Sequence, residues 1–122
     1  MTAQRKHLGK LGEEIACWYL EQEGLRIIER NWRCAAGEAD IIAHEEDEIV
    51  FVEVKTRSDI EKGLPEDAIT AAKRQRYERI AMYYLMEKNP SSARIRFDVI
   101  AILRKENHNL LRHHRDAFSC GD

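Results

Sequence analysis

Two apolar, β-branched runs, Glu38–His44 and Ile49–Lys55, flank an acidic quartet, Glu45-Glu46-Asp47-Glu48. This arrangement constrains the fold of the 122-residue chain more than any other feature. Runs of that length, rich in Val and Ile and bounded by polar residues, read as two strands of a hairpin. A two-residue loop (Glu46-Asp47) and a four-residue loop (Glu45–Glu48) give the same antiparallel register. In it Asp40 lies opposite Glu53, and Glu38 lies opposite Lys55. Directly opposed side chains have Cβ atoms about 4.5–5.5 Å apart, and Glu53 and Lys55, two apart on one strand, share a face. Four charged groups therefore gather at the open end of two otherwise apolar strands. Two carboxylates this close repel each other and resist ionising when buried. A divalent cation relieves that repulsion, and Mg²⁺ typically takes one or two carboxylates while keeping several waters. Such an ion polarises a phosphoryl oxygen and acidifies a bound water, while Lys55 could orient that water or stabilise developing negative charge. The alternative is a cross-strand ion cluster that merely closes the sheet end. A Glu-x-Lys alone does not decide between them.

The rest of the chain supplies elements around this hairpin. Leu8, Leu11, Ile15, Trp18 and Tyr19 recur at helical spacing and predict an amphipathic helix from about Leu8 to Glu23, stopped by Gly24. Leu25–Arg30 reads as a short strand, and Asn31–Gly37 as a connecting loop. After the polar stretch Thr56–Glu66, a second helix is expected from about Glu66 to Lys88, turning Ile69, Ile80, Tyr84 and Leu85 to the core. Asn89-Pro90-Ser91-Ser92 ends it. Ile95–Leu103 is the last strand, and residues 105–122 read as a loose polar tail behind a domain spanning 1–104. The order α-β-β-β-α-β describes an α/β domain of two or three layers.

At this length one compact domain with a real core is expected. With 43% hydrophobic and 34% charged residues, the chain falls in the globular rather than the disordered class. No apolar run nears the roughly 20 residues that span a bilayer, and the polar, basic start from Met1 to Lys10 gives no expectation of a secretory signal. Cys17, Cys34 and Cys120 form no CxxC pair, which argues against a zinc site or disulfide framework and for a reducing cytoplasm. Cys17 reads as a small buried hydrophobe. The net charge of −2 argues against a generic polyanion-coating protein, yet base is grouped in Lys73-Arg74-Gln75-Arg76 and in Arg104-Lys105 with Arg112 and Arg115. Such blocks either orient a protein on a phosphate backbone or are solvated faces. Trp18 and Tyr19 read as core rather than base-stacking platforms. His44, His108, His113 and His114 show no metal-ligand spacing, and His113-His114 reads as solvated tail.

A strand acid followed by Phe51-Val52-Glu53-Val54-Lys55 resembles the D…(D/E)xK motif of restriction-endonuclease-like nucleases. More closely, the chain resembles the YraN family of small bacterial proteins, proposed to be endonucleases. The matching stretches are Gly12-Glu13-Glu14-Ile15-Ala16 with Tyr19-Leu20, Asn31-Trp32-Arg33-Cys34, Gly37-Glu38-Ala39-Asp40-Ile41-Ile42, and Phe51 through Arg57. Gly63 with Pro65, Lys73, and Arg96-Phe97-Asp98 complete them. Together they cover about residues 8 to 101; Ala39 departs from a branched apolar residue more usual there, which touches packing rather than chemistry.

The resemblance implies a restriction-endonuclease-like core, a central mixed sheet flanked by helices, with Asp40 and Glu53 as ligands for Mg²⁺ or Mn²⁺ and Lys55 as the catalytic lysine. It further implies a catalytic place for Glu13 on the first helix, although an acid there could simply favour the helix dipole. Nucleic-acid contacts are assigned to Arg57, Lys73, Arg74 and Arg76, with Lys73 either facing the site or facing solvent. Asp98 is either a ligand or the partner of Arg96 or Arg94. The expected activity is metal-dependent hydrolysis of phosphodiester bonds in nucleic acid, DNA ahead of RNA, with no membrane partner. Branched or junction DNA would require paired sites and hence a homodimer. The rivals are a nucleic-acid-binding or assembly module that keeps the fold without cutting, and a purely structural partner-binding protein.

Overall fold

The computed structural model describes residues 3–90 and 94–118. Helix α1 (Ala3–Gln22) is followed by strands β1 (Arg26–Cys34), β2 (Gly37–Glu45) and β3 (Glu48–Arg57). A 3-10 turn (Pro65–Ala68) leads into helix α2 (Ala71–Lys88), then strands β4 (Arg94–Lys105) and β5 (His108–Phe118). One mixed five-stranded sheet has the order β1-β2-β3-β4-β5, antiparallel throughout except for the parallel pair β3–β4. A parallel pair needs a crossover, and the segment carrying α2 provides it.

Each helix buries one face against the sheet, giving three layers. Ala16, Cys17 and Leu20 of α1 pack on Ile41, Val52 and Ile100. Tyr77, Ile80 and Tyr84 of α2 pack on Ile42, Phe51 and Phe97. The order α-β-β-β-α-β and the mixed sheet between helices are as expected, and Ile80 and Tyr84 point inward as the helical spacing required.

Several expectations are corrected. Residues 108–118 are no loose tail: β5 pairs with β4 from Lys105↔His108 to Val99↔His114 and again at Phe97↔Phe118. Its pattern is mostly exposed, because an edge strand with few apolar neighbours needs little apolar alternation, and that hid it from a hydrophobicity reading. β1 runs on to Cys34 and turns at Ala35-Ala36, so Asn31–Gly37 is largely strand rather than loop. Thr70 starts α2 by accepting from the Lys73 N–H at 3.2 Å, splitting the expected long helix from the 3-10 turn. A Thr at this position satisfies one of the orphan donors of a helix start. Trp18 is 64% exposed rather than core, and the side chain of His113 is only 4% exposed rather than solvated. Cys120 and Ser91–Ser92 lie outside the described residues.

One irregularity positions the site. Ala39 lies in the α2 core and Ile41 in the α1 core, so the strict alternation of β2 breaks at Asp40. Asn31, between the pairs Arg30↔Ile41 and Trp32↔Ala39, takes a left-handed φ of 52°. Asn tolerates that conformation better than most residues. The side chains of β2 therefore change faces where that strand parts from β3.

Candidate functional site

The β2–β3 ladder has the expected register: Glu45↔Glu48 through Ile41↔Val52, around the two-residue turn Glu46-Asp47. Backbone pairing stops at Ile41↔Val52. The next position is Asp40, and its Oδ2 accepts from the Val54 N–H at 2.8 Å. A side chain thus makes the last rung in place of a backbone carbonyl, and the two strands splay beyond it. Glu38 is not opposite Lys55 in any described contact; it pairs instead with its β1 neighbour Arg33 at 2.8 Å. The splaying separates the second pair that an unbroken ladder would have joined.

Glu53 lies on the α2 side of β3, paired in the ladder with Val99, and is 5% exposed. The buried Tyr77 hydroxyl accepts from the Asp40 N–H and donates to Glu53 Oε1, both at 3.4 Å. Lys73 Nζ approaches Glu53 Oε2 to 2.9 Å. That contact lacks hydrogen-bond geometry, so Oε2 is a buried oxygen without a hydrogen-bond donor. Lys73 and Tyr77 stand one helical turn apart on α2, which brings both to one carboxylate. Lys73 faces the site rather than solvent alone.

The electrostatics are those of a crowded acid pair. Burial, then the hydrogen bond with Glu53 and its charge, push the Asp40 carboxyl well above the usual carboxylate range. Burial and the neighbouring Asp40 and Glu53 push the Tyr77 hydroxyl far up, so it stays a neutral donor. Glu13, on α1, is raised by burial, opposed by its hydrogen bond to Asn31 and raised again by Glu38 and Glu53. Glu13 is therefore within electrostatic reach of the pair. Gly12 is what lets α1 come this close: a Cβ there would sit 1.8 Å from Thr56 Oγ1.

Lys55 follows Glu53 by two on β3 and lines an open cleft of about 630 Å³ with Leu8, Gly9, Arg57 and Lys62. Arg74 and Arg76 do not join it. The Arg74 guanidinium lies 5.7 Å from the Phe118 ring centre, and the Arg76 methylenes lie over Gly37, where a Cβ would be 3.0 Å from Cδ. Asp98 belongs to a separate network: it is 1% exposed and held by Arg96, His113 and the Asp116 N–H. Among the described residues no three His, Cys, Asp or Glu side chains form a ready metal cage. The pair Asp40–Glu53 is what a cation would meet.

Tyr77 and Asn31 join the site without having stood out in the sequence. Tyr77 carried a readable signal, four residues after Lys73 on the same helix face. Asn31 carried one only if its loop was recognised as a strand opposite Asp40.

Fold and site together define a three-layer α/β/α protein with a close acid pair, Glu53 buried and Asp40 half-buried, at the splayed end of a mixed sheet. The sequence profile described as "Uncharacterised protein family UPF0102" matches residues 12–102. A UPF0102 protein of Syntrophotalea carbinolica is 43% identical over 118 residues, covering 97% of this chain and 96% of that one. Another from Syntrophus aciditrophicus is 45% identical over 115 residues, covering 94% and 91%. A third, from Pelotomaculum thermopropionicum, is 43% identical over 120 residues, covering 97% and 100%. The chain belongs to the UPF0102 (YraN) family.

Proposed function

We propose that the chain is a metal-dependent endonuclease that hydrolyses phosphodiester bonds of nucleic acid, DNA ahead of RNA. The observation that carries this reading is the half-buried Asp40 beside the buried Glu53 at the strand split, two acids with one lysine, Lys73, between them and solvent. Such a pair suits Mg²⁺ or Mn²⁺, which are satisfied by one or two carboxylates and retained waters. Asp40 and Glu53 would hold the ion, which when bound supplies a polarised phosphoryl oxygen and an acidified water.

The chain's own residues divide the remaining work. Tyr77 fixes Glu53 and the Asp40 backbone, and Gly12 seats α1 so that Glu13 stands beside the pair. Lys55 places an ammonium at the cleft, where it stabilises charge developing on the phosphate. Lys73 neutralises part of the carboxylate charge. Among the described residues no helix is long and apolar enough to cross a membrane, and a cytoplasmic place without a membrane partner is part of the proposal. Cutting of junction DNA would call for a homodimer with paired sites.

A second reading has one observation in its favour. Lys73 already lies against the buried oxygen of Glu53, as in a module that keeps the fold, binds nucleic acid and does not cut. A cleavage panel of single-stranded, duplex, flap and four-way-junction substrates, run with Mg²⁺ and with Mn²⁺, separates the two. The nuclease reading expects metal-dependent cutting of at least one substrate. It also expects Lys55→Ala to lose about 10²–10³ in rate, the typical cost of one preorganised electrostatic donor, with affinity little changed. Tight binding without cutting of any substrate would transfer the case to the module.

A further inference from the structure

Cations at the splayed end of the sheet are arranged differently from those elsewhere. Lys6 and Lys10 sit one turn apart at the start of α1, on either side of Leu8 and Gly9, which line the cleft. Lys55 and Arg57 end β3, and Lys62 follows in the loop after it. Leu103 pairs with Arg57, so Arg104 and Lys105 carry the β4–β5 hairpin past the end of β3. These seven cations face three acids on the same segments, Asp59, Glu61 and Glu106. Apart from Arg104, which donates to Asn109 at 3.0 Å, none of them has a side-chain hydrogen bond or ion pair with a described residue. The buried Nε of Arg57 has no acceptor among the described residues. At the opposite end, by contrast, Arg94, Arg96 and Arg115 are all paired with the acids of the β2–β3 turn.

We propose that the first turns of α1, the loop after β3 and the tip of the β4–β5 hairpin form a collar that grips the phosphate backbone of a nucleic acid around the carboxylate site. This rests on the nuclease reading for its location and adds the surface that holds the substrate. The protein carries a net charge of −2, so unpaired base on one end is a matter of placement rather than of bulk composition. Lysines left without acids on a stable domain repel one another, and a polyanion relieves that repulsion by exchanging condensed counterions for lysines. A cleft of about 630 Å³ between the start of α1 and the end of β3 with its following loop admits a strand of backbone, whereas a membrane presents a flat surface. Lys6, Lys10, Arg104 and Lys105 all lie outside the family-matched stretch 12–102.

The test is the salt dependence of binding, measured by fluorescence anisotropy on a labelled DNA duplex in EDTA, where nothing is cut. The variant is Lys6→Ala/Lys10→Ala/Lys62→Ala/Lys105→Ala, all exposed positions, with Arg94→Ala at the opposite end as control. Removing one lysine–phosphate pairing lowers the slope of log affinity against log salt by about 0.9, so the quadruple variant is expected to flatten it by roughly 3 to 4. Arg94→Ala should leave it unchanged, and an unaltered melting temperature shows that the quadruple variant is folded. Lys105→Glu alone should weaken binding in the same direction. A wild-type slope in the quadruple variant overturns the collar, as does absence of duplex binding by the wild type. Equal binding of phosphatidylserine vesicles, abolished in the same variant, overturns it in favour of a membrane surface. If the variant no longer binds duplex but the wild type cuts nothing in Mg²⁺ or Mn²⁺, the collar stands and the nuclease reading falls. If the wild type cuts and the variant binds like it, the nuclease reading stands and the collar falls.

Discussion

Around the β2–β3 turn, buried acids and bases are matched atom for atom; at the other end of the same hairpin, where β2 leaves β3, two acids crowd one lysine and are matched only in part. In the first region Arg96 holds both oxygens of Asp98 at 2.9 and 3.0 Å and reaches Glu45 at 2.7 Å. His113 Nε2 adds a contact of 2.7 Å to Asp98, and the Asp116 N–H one of 2.9 Å. Burial alone would raise the Asp98 carboxyl, but the hydrogen bonds of His113 and Arg96 outweigh it and hold it below the usual value. In the second region burial and Glu53 act together and push Asp40 up. The same residue type, half-buried at 40 and fully buried at 98, is thus driven in opposite directions. The first region holds β5 to the sheet; the second sets two acids against a single lysine, Lys73.

The comparison is tested hardest by removing the matched partner. Asp98→Ala leaves Arg96 and His113 without their buried anion and should cost about 3–5 kcal/mol in urea unfolding. A loss under about 1 kcal/mol would break the account of the matched region. Next comes the seat of α1 at the partly matched end. Gly12→Ala drives a methyl into Thr56 and should cost about 1–3 kcal/mol, the usual range for overpacking. Adding Thr56→Ala should recover much of it, and failure of the double variant to recover would place the strain elsewhere.

Asp40→Asn should make the metal-free protein more stable at pH 7, because burial and Glu53 raise the native carboxyl and so penalise it wherever the pH lies above its unfolded value. An acid raised in the folded state carries its penalty above that raised value and sheds it as the pH falls toward its unfolded value near about 4. The advantage of Asp40→Asn should therefore vanish in acid. Asp98, being depressed, runs the other way: its stabilisation is full above the unfolded value and fades as the pH falls through the native one. Parallel pH profiles for the Asp40→Asn and Asp98→Ala differences would contradict the contrast. Smallest of all, Arg115→Ala removes a half-exposed partner of Glu45 and should stay within about 0.5 kcal/mol.

Much of the partly matched end was legible in the sequence. Alternation and a short acidic turn set the register of β2 against β3, and register put Asp40 and Glu53 together. The helical spacing around Ile80 and Tyr84 found the inner face of α2. What was hidden had little hydrophobic signature. The edge strand β5 is polar along most of its length, so its pairing with β4 and the burial of His113 against Asp98 could not be seen in advance. The break of alternation at Asp40 depends on the left-handed Asn31, a backbone event that no periodicity reports. Without it an unbroken ladder put Glu38 beside Lys55, where the structure instead pairs Glu38 with Arg33.

The central claim is that the partly matched acids await a cation, and calorimetric titration of Mn²⁺ into the metal-free protein at neutral pH tests it most directly. The account predicts saturable binding by the wild type, at least about tenfold weaker in Asp40→Asn and in Glu53→Gln, since each removes one of the anionic oxygens such ions require. Arg94→Ala should bind as the wild type does. Identical titrations for wild type, Asp40→Asn and Glu53→Gln would contradict it.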